Sequence, residues 1–486
     1  MRWFRSASAR PTSAVTPSRR FAGMRLRRAL PVLAALSLVL VVSPVPAAAD
    51  EAGPRHVDGT DRPNASFEIT GIRCSIEVTG ERTLGNGTTV INAIQRGRTE
   101  ATIPLLTGSL TLESTTVVNA DGVGVTSGRW TLEPDASTGT IVGSYQGSVT
   151  DGQSAEIRSV GRGRRSLSGV TVRMNTVSGP PVEGQMVGGA SVDETCAGDA
   201  VFVGTGVAVA PIYRAPLGAV VSEGTKDFED AVADLTAAIE GNPNLRLIRT
   251  VDHAAAAAGR GLVLPPTTEL FFGNPRLGTP LMQASQTAGI DLPQKILIWE
   301  DLLGIVRVAY NSVTYLESRH DIDGADGQLT TIAGALAALA GVATGVPGAP
   351  VTDGQPARED YGLVTIPTDK TADQAFADIV AALDAAPPIN VVFTLEHDQN
   401  AASIGETLRP TKLIVFGNPS LGTPLMQTDR SVALDLPQKI LVHTDAAGQT
   451  FVSFNDPQVI ANRHGLVGQR DILRTIRGAL ENFATR

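Results

Sequence analysis

Charged and aromatic residues are scarce in this chain of 486 residues, at 18% and 4%, and it contains only two cysteines. The formal net charge is -9, so the chain has no basic excess with which to neutralise the phosphates of a nucleic acid. We therefore expect no nucleic-acid partner. The 50 glycines and 30 prolines favour many turns and small-residue packing, and the length allows about three domains.

Several familiar catalytic motifs are missing as well. The chain contains no Gly-x-Ser-x-Gly elbow, HExxH or CxxC motif, phosphate loop or dinucleotide fingerprint. No Ser or Thr neighbours an evident His–carboxylate arrangement apart from Thr279 and Thr423, and helix capping explains both of these. The sequence thus leaves catalytic residues, metal and cofactor unassigned and gives an enzyme little support.

Residues 1–49 have the pattern of an export signal. A basic segment at Met24–Arg28 precedes the apolar run Ala29–Val42, and Ala47–Ala49 form a small-residue cleavage site before Asp50. We predict that the mature chain begins near Asp50 and is secreted or held in the cell envelope.

The start of translation and the membrane topology depend on the same segment. Either Met1 or Met24 fits as the first residue. The apolar run is shorter than the roughly 20 residues that span a bilayer, and Pro44 and Pro46 follow it. We expect no stable membrane span after signal cleavage.

The two cysteines, Cys74 and Cys196, both lie before residue 210. In an exported protein, such a pair indicates a disulfide rather than a metal or redox site. We predict a Cys74–Cys196 bond that closes a long loop and stabilises an N-terminal domain.

That N-terminal domain, residues 50–210, is expected to be all-β. Short alternating segments such as Gly128–Glu133 and Thr140–Tyr145 are broken by glycines, without a helical apolar period. This pattern is typical of a barrel or a sandwich. The glycines at strand positions fit either bulges and tight corners or the walls of a ligand cavity.

The remaining half of the chain is a duplication. FFGNPRLGTPLMQ at residues 271–283 returns as VFGNPSLGTPLMQ at residues 415–427, and the offset of 144 residues holds without a gap. We predict one repeat at residues 216–341, a Gly/Pro/Ala-rich linker at 342–357 and a second repeat at 358–486. Strands, helices and a hairpin around Gly304 alternate in the first repeat, which indicates a multidomain chain ending in two α+β two-layer domains.

The repeated stretch reads locally as the corner between a strand and a helix. Asn274 suits a helix N-cap and Pro275 the first helical position, while Thr279-Pro280 offers a second start of the same kind. The corner either defines the fold or presents free backbone N–H groups to an anion or a carbonyl.

The motifs shared by the repeats resemble those of the domain-of-unknown-function-302 family. They are Thr250–His253, Phe272–Met282, Asp291–Leu297, Tyr310-Asn311 and Arg319-His320, with their equivalents in the second repeat. The resemblance implies a compact, self-associating α+β domain without an agreed activity. We therefore expect the two repeats to pair within the chain as a pseudo-dimer.

Matched polar residues supply the candidate site. Histidine is a common metal ligand and titrates near neutral pH, so we predict that the paired repeats bind a small molecule or a metal ion. The candidate residues are His253, Asn274, His320, His397, Asn418 and His464.

Two other functions stay open. The acidic pair Glu300-Asp301 becomes Thr444-Asp445 in the second repeat. One alternative is a secreted hydrolase or other enzyme in which Asp301 and His320 act as an acid–base pair. The other is a structural or envelope-interaction protein.

Overall fold

The computed structural model describes residues 63–150, 155–179, 200–210, 213–346 and 354–486. The predicted signal and Cys196 lie outside these residues. Export and the Cys74–Cys196 bond therefore stay predictions.

The N-terminal domain is a closed antiparallel barrel of eight strands, in which each strand pairs with the next and the last returns to the first. The prediction of an all-β domain is confirmed, as a barrel. The strands are β1 (Asn64–Thr83), β2 (Thr89–Ala101), β3 (Gly108–Val118), β4 (Gly124–Pro134), β5 (Thr140–Val149), β6 (Ala155–Arg164), β7 (Thr171–Gly179) and β8 (Ala200–Val209).

Trp130 explains two of the strand glycines in this barrel. A Cβ atom at Gly143 or Gly161 would overlap the Trp130 ring, which is buried. These glycines thus make room for an aromatic side chain rather than for a bulge. A cavity of about 70 Å³ remains beside the ring.

The first repeat is a five-stranded antiparallel sheet with the order β10-β11-β12-β13-β9. Its strands are β9 (Ala219–Glu223), β10 (Arg246–Asp252), β11 (Thr267–Gly273), β12 (Gln294–Glu300) and β13 (Val306–Asn311). Its helices are α1 (Phe228–Glu240), α2 (His253–Ala258), α3 (Pro275–Ala284), α4 (Val313–His320) and α5 (Asp326–Thr344).

The second repeat has the same architecture, with the order β15-β16-β17-β18-β14. Its strands are β14 (Leu363–Thr368), β15 (Asn390–Glu396), β16 (Thr411–Gly417), β17 (Gln438–Thr444) and β18 (Thr450–Asn455). Its helices are α6 (Ala372–Asp384), α7 (His397–Ala402), α8 (Pro419–Thr428), α9 (Pro457–Arg463) and α10 (Arg470–Ala484). The prediction of two α+β domains is confirmed.

The central strands are buried on both faces because each sheet packs its helices on one side and the other repeat on the opposite side. Nearly every residue of β11, β12, β16 and β17 is buried. Ile290 of the first repeat lies in an apolar cluster with Leu413, Val415 and Leu441 of the second. The Phe271 ring meets Phe393 edge-on, with 5.2 Å between ring centroids.

Two local details differ from the sequence interpretation. Thr279-Pro280 does not start a second helix, because α3 runs without interruption from Pro275 to Ala284. Burial of Leu281 and Met282 against the domain core holds the turn that Pro280 would otherwise weaken. Helix α5 also continues to Thr344, three residues beyond Gly341.

Candidate functional site

The repeated motif forms a capped helix start in both repeats. Asn274 accepts a hydrogen bond from the Arg276 backbone N–H at 2.9 Å, and Asn418 accepts one from Ser420 at 3.0 Å. Proline occupies the first helical turn in each case. The capping prediction is confirmed, and the side-chain oxygens of both asparagines are used by the corner itself.

An equivalent cavity lies beside each of these corners. The Asn418 pocket has a volume of about 240 Å³ and the Asn274 pocket about 370 Å³. Both are lined mainly by apolar side chains at matching positions of the two repeats. The Asn418 pocket has Phe416, Leu421, Met426, Leu436, Ile476 and Leu480. The Asn274 pocket has the equivalent residues Phe272, Leu277, Met282, Leu292, Ile332 and Leu336.

Each pocket is completed by the opposite repeat. Helix α2 packs against α8, and α7 packs against α3. His253 therefore lines the Asn418 pocket, and His397 lines the Asn274 pocket. The structure brings together four of the six predicted residues, as two crossed His–Asn pairs.

The two pocket histidines are buried and uncharged near neutral pH. Burial lowers the pKa of His253 and of His397 to about 4. His397 Nε2 lies 3.1 Å from the Gly289 carbonyl oxygen, and since a carbonyl only accepts, the hydrogen must be on Nε2. The position equivalent to Gly289 is Ala433, and His253 Nε2 has no hydrogen-bond partner among the described residues.

Further polar atoms in the pockets are buried without a partner among the described residues. Thr423 Oγ1 is one in the Asn418 pocket, and Thr279 Oγ1 and Gln294 Nε2 are two in the Asn274 pocket. The sequence interpretation of Thr279 and Thr423 as caps is wrong, because both lie inside helices. A buried hydroxyl without a partner costs about 1–3 kcal/mol, which a bound polar group would offset.

His320 and His464 lie away from these pockets, in matching hydrogen-bonded chains. His320 Nε2 is 2.9 Å from Asp291 Oδ2 and its Nδ1 is 3.0 Å from Thr287 Oγ1. His464 contacts Asp435 and Ser431 in the same way, each at 2.8 Å.

These hydrogen-bonded groups show that the prediction from sequence was wrong, because a Thr or Ser does lie beside a His–carboxylate pair in each repeat. Thr287 and Ser431 each lie four residues before the aspartate of their chain. That spacing, repeated in both copies, is the signal that the sequence interpretation overlooked. His320, Ser431 and His464 are buried, which favours a structural use of the hydroxyl.

Two arginines join the repeats reciprocally. Arg319 donates to Asp291 of its own repeat and to Asn455 of the other, both at 2.6 Å. Arg463 donates to Asp435 at 2.8 Å and to Asn311 at 2.7 Å.

The arginines also set the charge of these aspartates. Burial would raise the pKa of Asp291 and of Asp435, but the guanidinium groups of Arg319 and Arg463 hold both pKa values well below their usual range. Each arginine therefore compensates a buried negative charge while it binds the opposite repeat.

A second charged group lies between the sheets. Lys295 Nζ is 3.9 Å from Glu269 Oε1, and both side chains are almost fully buried. Burial raises the pKa of Glu269 to about 8, and burial together with the charge of Lys295 lowers the pKa of Lys439 to about 7. Glu269, Lys295 and Lys439 lie outside both pockets.

Asp301 has a local structural role. Its Oδ1 accepts from the backbone of Leu303 at 2.8 Å and of Ile305 at 3.1 Å, and its Oδ2 accepts from Arg307 Nε at 2.8 Å. Asp445 bonds the backbone of its own hairpin turn in the same way.

Asp301 and Asp445 therefore have the same structural role, which is to hold the hairpin turn of their repeat. Glu300, its neighbour, is half-buried, and burial raises its pKa. Asp301 and His320 bond to different partners, so the structure does not bring together the acid–base pair of the enzyme alternative.

In the described part of the chain, no group of three or more His, Cys, Asp or Glu side chains is placed to hold a metal ion. The metal alternative gains no support from these residues.

Comparison with known proteins identifies the repeats. The sequence profile of the family described as "Domain of unknown function DUF302" matches residues 219–339 and 364–483. A crystal structure of an uncharacterised conserved DUF302 protein from Bacillus stearothermophilus aligns with 25% of this chain and 95% of its own, at 14% identity and a TM-score of 0.24.

Curated relatives match a smaller part of the chain. They include the fluoride-specific ion channels FluC 1 of Brucella suis biovar 1 and of Brucella abortus biovar 1, each 35% identical over 147 residues. The match covers 30% of this chain and 58% and 54% of those proteins. The chain thus spans little more than half the length of these relatives.

One helix in the described residues, α5, is long and apolar enough to cross a membrane, and 44% of its apolar window is buried inside the protein. It packs against α1 of its own repeat.

Proposed function

We propose that this chain, which belongs through two tandem domains to the family described as domain of unknown function DUF302, binds a small and largely apolar molecule. One observation carries the proposal: each of two equivalent cavities joins the Asn-Pro corner of one repeat to the buried histidine of the other. Largely apolar pockets with a few convergent polar groups are the usual form of a small-molecule site.

The polar atoms of the Asn418 pocket define the class of ligand. His253 is uncharged near neutral pH, and its Nε2 and Thr423 Oγ1 have no partner among the described residues. An uncharged hydroxyl, carbonyl or amide would satisfy them, whereas a charged group would lose its hydration without an opposite charge. We therefore expect a neutral ligand with one polar end. It should bind more tightly in the Asn418 pocket than in the Asn274 pocket.

The pairing of the repeats is part of the same proposal. Reciprocal Arg–Asn bonds and apolar contacts between the sheets support an intramolecular pseudo-dimer. Because each pocket draws residues from both repeats, binding in either pocket depends on this pairing.

Filling the Asn418 pocket is expected to weaken binding without unfolding the chain. A Cβ at Gly422 would make only ordinary contacts, 3.8 Å from Leu436 Cδ1 and 4.0 Å from Met426 Cε, so Gly422→Leu extends into the cavity. We expect titration with the neutral probe N-phenyl-1-naphthylamine to show at least about a tenfold loss of affinity, about 1.4 kcal/mol, in this variant.

Gly478→Leu is the matched control, because Gly478 lies in α10, a Cβ added there would meet nothing within 4 Å, and the residue does not line the pocket. Equal probe affinity in the two variants and the original chain would remove the pocket from consideration. The native mass of protein purified from its own organism, compared with its denatured mass, would identify a bound molecule.

Thr423→Val separates a binding role from a structural role. The valine removes a hydroxyl that has no partner among the described residues, so we expect the unliganded chain to be as stable as before or more stable. Affinity for the natural ligand should fall by roughly 1–2 kcal/mol, the cost of one lost hydrogen bond. A destabilised variant with unchanged affinity would favour the structural alternative instead.

Export is proposed separately, on the basic, apolar and small-residue pattern of residues 24–49. N-terminal sequencing of the protein from its own organism should give a chain that begins near Asp50. A protein that retains Met24 and stays in the cytoplasm would refute this part of the proposal.

A further inference from the structure

A further cavity, the junction cavity, lies where the barrel meets both repeats. Its volume is about 570 Å³. Its walls come from Leu105 and Leu167 of the barrel, from the first-repeat hairpin that includes Asp301 and Arg307, and from the second-repeat segment that includes Arg430. It shares no lining residue with the Asn418 and Asn274 pockets.

The acidic side chains of this cavity are already engaged. Asp301 accepts from Arg307 Nε and from its own hairpin turn. Asp429 accepts from the Ser431 backbone N–H at 2.9 Å. Among the cations, Arg463 is committed to Asp435, Asn311 and the Leu217 carbonyl oxygen.

Arg430 is a buried cation of this cavity with donor capacity to spare. Only 5% of this residue is exposed, and its Nε donates to the Glu300 carbonyl oxygen at 2.8 Å. Its Nη2 has no hydrogen-bond partner among the described residues. Burial lowers the pKa of Arg430 to about 10, so the side chain keeps its positive charge near neutral pH.

Tyr213 contributes a second donor to the same cavity. Its ring packs near Trp299, with 6.1 Å between centroids, and the Arg307 guanidinium carbon lies 4.9 Å from the ring centroid. Its hydroxyl is buried beside Ser431, and it makes no hydrogen bond of good geometry among the described residues. Burial and the charge of Asp429 raise the pKa of Tyr213, so this group stays a phenol that can donate.

We infer that the junction cavity binds the carboxylate of a small organic acid, with Arg430 Nη2 and Tyr213 Oη as donors. A buried guanidinium with free N–H groups suits a carboxylate in charge and in planar geometry. Apolar walls that include Leu105, Leu167 and Trp299 favour a ligand whose remainder is hydrocarbon. This site is independent of the neutral ligand proposed for the Asn418 pocket.

Calorimetric titration of the full chain with hexanoate tests the inference, with hexanol and inorganic phosphate as probes that lack the charge or the hydrocarbon. We expect hexanoate to bind at least about tenfold more tightly than either, a difference of about 1.4 kcal/mol. Tyr213→Phe should weaken hexanoate by about tenfold, and Arg430→Gln should abolish its binding. Arg474→Gln, whose side chain is 77% exposed, is the matched control.

Tryptophan fluorescence tests where the acid binds. Trp299 lines the cavity, so hexanoate should change the fluorescence of the original chain and of Gly422→Leu, and this change should disappear in Trp299→Phe. The inference is overturned by phosphate binding as tight as hexanoate binding, by unchanged affinity in Tyr213→Phe, or by loss of binding in Gly422→Leu.

Discussion

Arg463→Ala is expected to destabilise the paired repeats by about 3–5 kcal/mol, the usual cost of removing one partner of a buried ion pair. The substitution leaves Asp435 buried without its guanidinium and removes donors to Asn311 and to the Leu217 carbonyl oxygen. Urea unfolding of the full chain, followed through tryptophan fluorescence, measures the change. By the symmetry of the contacts, Arg319→Ala should cost a similar amount.

Two controls sharpen this result. Arg474→Ala breaks a pair whose side chains are 77% and 93% exposed, and such pairs contribute at most about 1 kcal/mol. Arg463→Lys keeps the charge but loses the planar set of donors, so it should recover only part of the loss. If Arg463→Ala unfolded at the same urea concentration as Arg474→Ala, the reciprocal arginine bonds would not hold the repeats together.

Acidification is expected to destabilise the chain between about pH 6.5 and pH 4 through His253 and His397. Burial depresses the pKa of both to about 4, so the folded state resists protonation that the unfolded state accepts below about 6.5. The stability that they contribute is complete above pH 6.5 and is lost as the pH falls through 4. At that limit each histidine accounts for up to roughly 3 kcal/mol.

The double variant His253→Gln, His397→Gln isolates this effect, because its stability should fall less over the same range. His443, whose pKa burial also lowers to about 4, keeps its own contribution in that variant. Glu269→Gln should have the opposite effect, so that stability falls more steeply on acidification than in the original chain. The pKa of Glu269 is raised to about 8, so its contribution is present at low pH and is lost as the pH rises, which offsets part of the histidine effect. Urea midpoints of the three proteins across this range give the comparison, and parallel curves would contradict both assignments.

Local chemistry explains what the sequence predicted well. The Asn274 cap needs only the next two residues, and the strands of the barrel need only alternation and glycine. Whether those strands close could not be read from alternation, because closure depends on pairs such as Asn64 and Val209, which are far apart in the chain.

The difference between local and long-range contacts also explains which features of the candidate site the sequence could predict. The structure places His253 in the pocket of Asn418 rather than in that of Asn274. His320 and His464 bond to Asp291 and Asp435 outside both pockets. That exchange depends on how two folded repeats pack against each other, which no local periodicity encodes. The role of Arg430 and Tyr213 escaped for the same reason, since their cavity needs all three domains.

The crossed pockets also give the chain a freedom that a pair of identical subunits lacks. In a symmetric homodimer every substitution appears in both sites at once, whereas here each site is encoded separately. Ala256 in the Asn418 pocket corresponds to Asn400 in the Asn274 pocket, and Asn390 corresponds to Arg246. Fusion of the two copies thus lets one chain carry two cavities with different linings while a single interface keeps both assembled.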